Sequence, residues 1–286
     1  MYVDPMLLVD ANEVFESTDH IAELKIDGIR GILSCDDQVR LYTRHNNEIT
    51  YRFQEITQAA AKAIGKGTIL DGEIVVSDPA TGKPDFEATL SRFMSNSKNP
   101  QGRTPGLTFV AFDILKYKGK DLSSLDLMTR KEILEEAFSE NESIKKIRYV
   151  EHSFKTLFSL CQQQELEGIV IKQRNSRYYS GKRPKNIWQR AVVYQRERCL
   201  VLGYSKKEIA WLLGIERDGE IHPAGMLKYG ITPSIRRQFF PKLLETTIKE
   251  TKQFAYVKPQ ILVDVRYRYW TKQGKMRLPV LERAYI

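Results

Sequence analysis

Lysine in the middle of an apolar run is chemically conspicuous, because burying an ammonium is costly unless something answers its charge. The segment Glu23-Leu24-Lys25-Ile26-Asp27-Gly28-Ile29-Arg30 places such a lysine between carboxylates. Strand alternation puts Glu23, Lys25 and Asp27 on one face, with Leu24 and Ile26 on the other. One reading is an ion-paired surface face. The other is a nucleophile, which needs a lowered amine pKa from desolvation or a nearby cation. Four further segments bear on the choice. Asp71 and Glu73 share a face of ILDGEIVV, and Asp113 follows Phe112 in FVAFDIL. Glu167 and Lys172 bound EGIVIK, and Arg190 closes WQR. Acids and bases isolated on apolar strands are retained mainly where they are paired or functional. Convergence on one metal-nucleotide site accounts for all five segments.

The elements that must position these groups follow from periodicity. Strands are predicted over 21–35, 38–44, 68–77, 108–115, 146–152 and 168–173. Helices are predicted over 52–64, 85–94 with Asp85 as N-cap, 127–138 and 154–164. The stretch 95–106 is polar loop. A basic loop over 174–186 leads into IWQRAVVYQ. Beyond it come shorter strands and one helical stretch, 236–250, which Pro241 divides. The first part is α+β and rich in antiparallel strand; the second has the size and rhythm of a small barrel such as an OB fold. The boundary gives domains 1–192 and 193–286.

Composition narrows the function. The chain has 286 residues, of which 42% are hydrophobic, and a formal net charge of +9. That length suggests two domains with real cores. From Arg196 onward there are 18 Lys and Arg against 9 Asp and Glu, so residues 196–286 carry the whole excess. A basic module joined to a neutral one points to a polyanion, nucleic acid first. In ILVDVRYRYW, Val263, Val265, Tyr267 and Tyr269 face inward, and Asp264, Arg266 and Arg268 face outward. Three scattered cysteines, Cys35, Cys161 and Cys199, disfavour a disulfide framework and a zinc site and fit the cytoplasm. No apolar run reaches bilayer length. The opening MYVDPMLLVD, with Asp4 and Asp10, does not read as a signal peptide.

The ordered segments resemble the covalent nucleotidyltransferase superfamily, specifically ATP-dependent DNA ligases of the short phage or prophage type. The family's K-x-D-G-x-R is matched by Lys25, Asp27, Gly28 and Arg30, and its S/T-R arginine by Arg44. D-G-E is matched at Asp71–Glu73, the aromatic-Asp strand at Phe112-Asp113, and E-G-x-x-x-K by Glu167, Gly168 and Lys172. The resemblance implies an ATP-grasp-like adenylation domain of antiparallel sheets followed by an OB-fold barrel. It implies Lys25 as the nucleophile that takes AMP from ATP. Glu23 would accept from the adenine amino group, with Leu24 beside it, and Phe112 and Val170 would pack on the base. Arg30 and Glu73 would hold the ribose. Arg44, Lys172 and Arg190 would sit at the phosphates, while Asp27, Glu73 and Glu167 would bind Mg²⁺, for which Mn²⁺ can substitute. The implied partner is nicked duplex DNA, met by a monomer acting in repair, replication or recombination.

Two departures stand out. The W-x-K-x-K element reads Trp188-Gln189-Arg190-Ala191-Val192, keeping one cation of two. The C-terminus GKMRLPVLERAYI offers Arg277 and Arg283 in an R-x-P…R ending, as candidate pyrophosphate contacts alongside the DNA-facing Arg266 and Arg268. An RNA-joining or capping relative and a silent DNA-binding module are the alternatives. Choice of nucleotide and covalent labelling separate them.

Overall fold

The computed structural model describes residues 1–95 and 104–285, so most of the 95–106 stretch lies outside the described residues. The chain forms two compact units, Met1–Val193 and Tyr194–Ile286.

Among the described residues, the first unit contains two sheets. One runs in the order Val9–Asp10, Trp188–Val192, Gly168–Gln173, His20–Leu24, Tyr149–Val150. The other runs Val39–Thr43, Ile29–Cys35, Thr68–Val76, Leu107–Tyr117, Lys120–Asp121, with Ile144–Lys146 added in parallel to Leu107–Tyr117. Most pairings are antiparallel, as expected. The predicted strand 21–35 is corrected. It is two strands in different sheets, His20–Leu24 and Ile29–Cys35, and the chain changes sheet across Lys25–Gly28. Gly28 permits this: a Cβ there would meet the Ile74 carbonyl oxygen at 2.3 Å. The predicted strand 146–152 likewise divides into pieces of Ile144–Lys146 and Tyr149–Val150, one in each sheet.

The helices form where apolar spacing allows. Gln54–Ala63 buries Ile56 and Ala60, flanked by buried Phe53 and Ile64, against the Leu33–Leu70–Phe109 core. Phe86–Met94 is capped by Asp85, whose carboxylate accepts from Ala88 N–H at 2.9 Å. Leu127–Ala137 is capped by Asp126, and Phe154–Gln163 buries Phe154 and Cys161.

The second unit is a sheet in the order Glu220–Leu227, Trp211–Arg217, Gln195–Ser205, Phe254–Val257, Thr247–Glu250, with Leu262–Tyr267 and Val280–Tyr285 continuing from Gln195–Ser205. The inward alternation of Val263, Val265 and Tyr267 is present, but the strand ends at Tyr267, and Tyr269 is only half-buried. The predicted division at Pro241 does not occur. The helix is Pro233–Glu245, with Thr232 as N-cap, and 247–250 is strand. Pro233 suits the first turn, where no N–H is needed. Phe239 and Leu243 are buried on either side of Pro241, and this packing holds the helix across its missing hydrogen bond. Among the described residues no helix is long and apolar enough to cross a membrane.

Candidate active site

A cavity of ≈ 520 Å³ in the first unit is lined from both of its sheets, a size usual for small-molecule sites. Lys25 enters it from the crossover between them. Its backbone N–H donates to the Gly168 carbonyl at 2.8 Å, and its ammonium donates to Glu167 Oε2 at 2.9 Å. Gly168 has φ +134°, and a Cβ there would strike the Ala191 carbonyl oxygen at 2.1 Å. Only glycine therefore lets Glu167 and the lysine crossover meet here.

Glu23, Leu24, Val170 and Arg190 come to the cavity from one sheet, and Arg30, Glu73 and Phe112 from the other. Arg44 lies at the rim, its Nε donating to His45 Nε2 at 2.9 Å. Arg190 pairs with Asp10, Nε to Oδ1 at 2.6 Å. Arg183 of the basic loop also lines the cavity and donates to the Leu8 carbonyl at 2.5 Å.

The expected charges take three different places. Arg30 is held by Asp71, donating from Nε to Oδ1 at 3.0 Å and from Nη2 to Oδ2 at 2.6 Å. Tyr178 OH donates to the same Asp71 Oδ2 at 2.6 Å. Asp113 does not reach the cavity. It is fully buried and takes Nε and Nη2 of Arg130 at 2.8 and 2.9 Å. Asp71 and Asp113 thus orient and brace; they correct the expectation that every such acid converges on one metal-nucleotide site.

Lys172 lines the cavity, and its ammonium is buried against Glu23 Oε2 at 2.7 Å. It also lies 4.1 Å from the centroid of the Trp188 ring and 4.8 Å from that of Phe112. Burial, with help from Lys131, pushes the Lys172 amine down to about 8 even though Glu23 opposes the shift. Lys131 makes an ion pair with the other Glu23 oxygen, Oε1. Periodicity alone marks Lys131 and Arg130 as ordinary helix residues. The available signal was their spacing: with Leu127 and Leu134 they form the buried stripe of the helix.

Glu73 is a half-buried carboxyl raised to about 7, chiefly by desolvation, with Asp71 and Asp27 adding to it and Lys25 and Arg30 opposing. Among the described residues no three His, Cys, Asp or Glu side chains gather into a metal cage. Mg²⁺ commonly takes one or two carboxylates and completes its shell with water and phosphate; of the three expected ligands Glu73 lines the cavity, whereas Asp27 and Glu167 are not among its lining residues.

Arg266, Arg268, Arg277 and Arg283 belong to the second unit. Arg266 and Arg268 stack over Tyr194 at 4.7 and 5.7 Å, and Arg277 over Tyr269 at 5.6 Å. Arg283 lies opposite Asp264 in the strand register.

Comparison with known proteins agrees on one family. The ATP dependent DNA ligase domain matches residues 5–190. The SPbeta prophage-derived DNA ligase-like protein LigB of Bacillus subtilis is 36% identical over 283 residues, covering 99% of this chain and 98% of LigB. The multifunctional non-homologous end joining protein LigD of Pseudomonas aeruginosa is 30% identical over 283 residues, covering 90% of this chain but 32% of LigD. The chain therefore spans about a third of that relative. Among solved structures, the M. tuberculosis LigD ligase domain is similar with a TM-score of 0.59 at 24% identity, covering 99% of this chain and 95% of that one. A Lig E DNA ligase is similar with a TM-score of 0.70 at 16% identity, covering 100% of both chains. These two likenesses show the fold, and the sequence matches show the kinship. The chain belongs to the ATP-dependent DNA ligase family.

Proposed function

We propose that this ligase seals nicks in duplex DNA through a lysyl-AMP intermediate on Lys25. The single observation that carries the reading is the Lys25 amine, held 2.9 Å from Glu167 at a cavity that Glu23, Phe112 and Val170 also line. Deprotonated Lys25 Nζ attacks the α-phosphorus of ATP; the N–P bond forms and the bond to pyrophosphate breaks. Glu167, 2.9 Å from the amine, is an acceptor for the departing proton. The AMP then passes to the 5′-phosphate of the nick and frees Lys25. Finally the 3′-hydroxyl attacks that phosphate, the strand closes and AMP leaves. Dividing the exchange through a covalent intermediate replaces one difficult step by easier ones.

Glu23 accepts from the adenine 6-amino group, beside Leu24. Phe112 and Val170 sandwich the base. Arg30, fixed by Asp71, and Glu73 hold the ribose. Arg44 and Arg190 face the phosphates, where charge builds in the transfer. Arg183 is a further cation at this cavity, and Val192 of the W-x-K-x-K element supplies none. Glu73 and Glu167, with Asp27, would hold Mg²⁺, which would supply charge neutralisation at the phosphate oxygens.

The second unit is read as an OB barrel that contacts duplex phosphates through Arg266 and Arg268. Arg277 or Arg283 is read as meeting pyrophosphate. Incubation with α-labelled ATP and Mg²⁺ followed by denaturing electrophoresis tests the reading. The protein should take acid-labile label from ATP and not GTP, then pass it to nicked duplex. Lys25→Ala should take none; labelling at the wild-type rate would overturn the assignment. A silent DNA binder would stay unlabelled, and a capping enzyme would prefer GTP.

A further inference from the structure

Glu23 lines the cavity, but little of its side chain is open to it. Its side chain is 3% exposed, and both oxygens meet ammonium groups: Oε2 that of Lys172 at 2.7 Å, Oε1 that of Lys131. The same two amines reach the Phe112 carbonyl, Lys131 at 2.9 Å and Lys172 at 3.5 Å. One step along, Arg130 holds Asp113. Consecutive residues of the helix thus grip consecutive residues of the strand that carries the Phe112 ring. Lys131 itself is 5% exposed and does not line the cavity. It belongs to none of the family's motif positions.

Two cations on two oxygens fix the plane of the Glu23 carboxylate. An ionised carboxylate accepts only; a protonated one also donates. The 6-amino group of adenine donates, whereas the 6-oxo group of hypoxanthine or guanine accepts. We propose that Lys131 is a positioning residue for nucleotide choice: by holding Glu23 as a fixed acceptor at the base edge, it makes the site prefer a 6-amino purine. This rests on the reading of Glu23 as the adenine contact. Without Lys131 the carboxylate keeps one of its two anchors, and its acceptor oxygens are no longer fixed toward the 6-amino group.

The test compares self-labelling by α-labelled ATP and ITP, which differ at the purine 6-position, in wild type, Lys131→Met and Lys131→Arg. Lys131→Met should need about tenfold more ATP for half-maximal labelling, with ITP improved or unchanged, so the ATP/ITP preference falls at least about tenfold. The maximal rate with ATP should change little, and Lys131→Arg should keep most of the preference. Equal losses for both nucleotides, or an unchanged preference, would overturn the proposal. Glu23→Gln should lower the preference alone, and adding Lys131→Met to it should lower it no further; additive losses would also overturn it. Should Lys131→Met fail to fold, Lys131→Gln carries the same expectation. A wild type that labels with neither nucleotide would instead remove the lysyl-AMP reading itself.

Discussion

A charge taken out of water stays charged only when another group answers it. Asp113 and Arg130 do this for one another with no exposed surface on either side chain. Burial alone would raise the Asp113 carboxyl, but the charge and two hydrogen bonds of Arg130 outweigh it and hold it below its ordinary value of 3.8. The folded value lies under the unfolded one, so the contribution is fully present above about pH 4 and is lost as pH falls through the folded value. Asp113→Asn should cost about 3–5 kcal/mol by leaving Arg130 buried without its counter-charge. It should also flatten the acid side of a stability–pH curve measured by urea unfolding; an unchanged midpoint and acid limb would refute this. At this scale the sequence showed which side chains were chemically unusual but not where each would point. Asp71 and Asp113 carry the same signal as Glu73. Their partners arrive from elsewhere: Tyr178 from the basic loop and Arg130 from a helix. Burial pattern alone cannot tell an acid facing a cavity from one facing a guanidinium behind it.

Elements were legible where a period ran unbroken. The helices at 54–63 and 86–94 and the long strands 68–76 and 107–117 follow their apolar spacing and caps. What could not be read was a change of partner in mid-pattern. Residues 23–27 alternate within a run that reads as one strand over 21–35, yet the chain leaves one sheet after Leu24 and joins the other at Ile29. Gly28→Ala should force its methyl against the Ile74 carbonyl, 2.3 Å away, and against Glu73 Cγ, 2.9 Å away. We expect a loss of self-labelling greater than about tenfold, because displacing a reacting group by about 1 Å can cost a hundredfold. Labelling at the wild-type rate would show that the crossover tolerates the shift. The Asp85 cap offers a contrast on a different element: Asp85→Ala should lower stability by about 1 kcal/mol. Its labelling by saturating ATP should hold; a reduced maximal rate would tie that helix to the chemistry.

Over the whole molecule, charge and chemistry are separated. The first unit holds the lysine cavity, and residues 196–286 hold the +9 excess. Steps that involve DNA should weaken steeply with salt while self-labelling changes little. Arg266→Glu with Arg268→Glu should weaken nicked-duplex binding at about 0.1 M salt. The slope of log affinity against log salt should flatten by about one for each phosphate that is no longer neutralised; an unaltered slope would remove these arginines from the DNA face. The halves of the charge distribution could be counted directly from the sequence. The pairing of distant segments could not, since strand order depends on contacts that periodicity does not encode. That pairing bears on how the protein is made. Val9–Asp10 lies beside Trp188–Val192, and His20–Leu24 pairs with Gly168–Gln173. A ribosome must deliver Tyr149–Val150 before His20–Leu24 finds its first neighbour, and Trp188–Val192 before Val9–Asp10 finds its own, a long-range closure of the slow-folding kind. Nascent chains stalled short of Trp188 would lack the ring that packs against Lys172, and we expect them not to self-label with ATP.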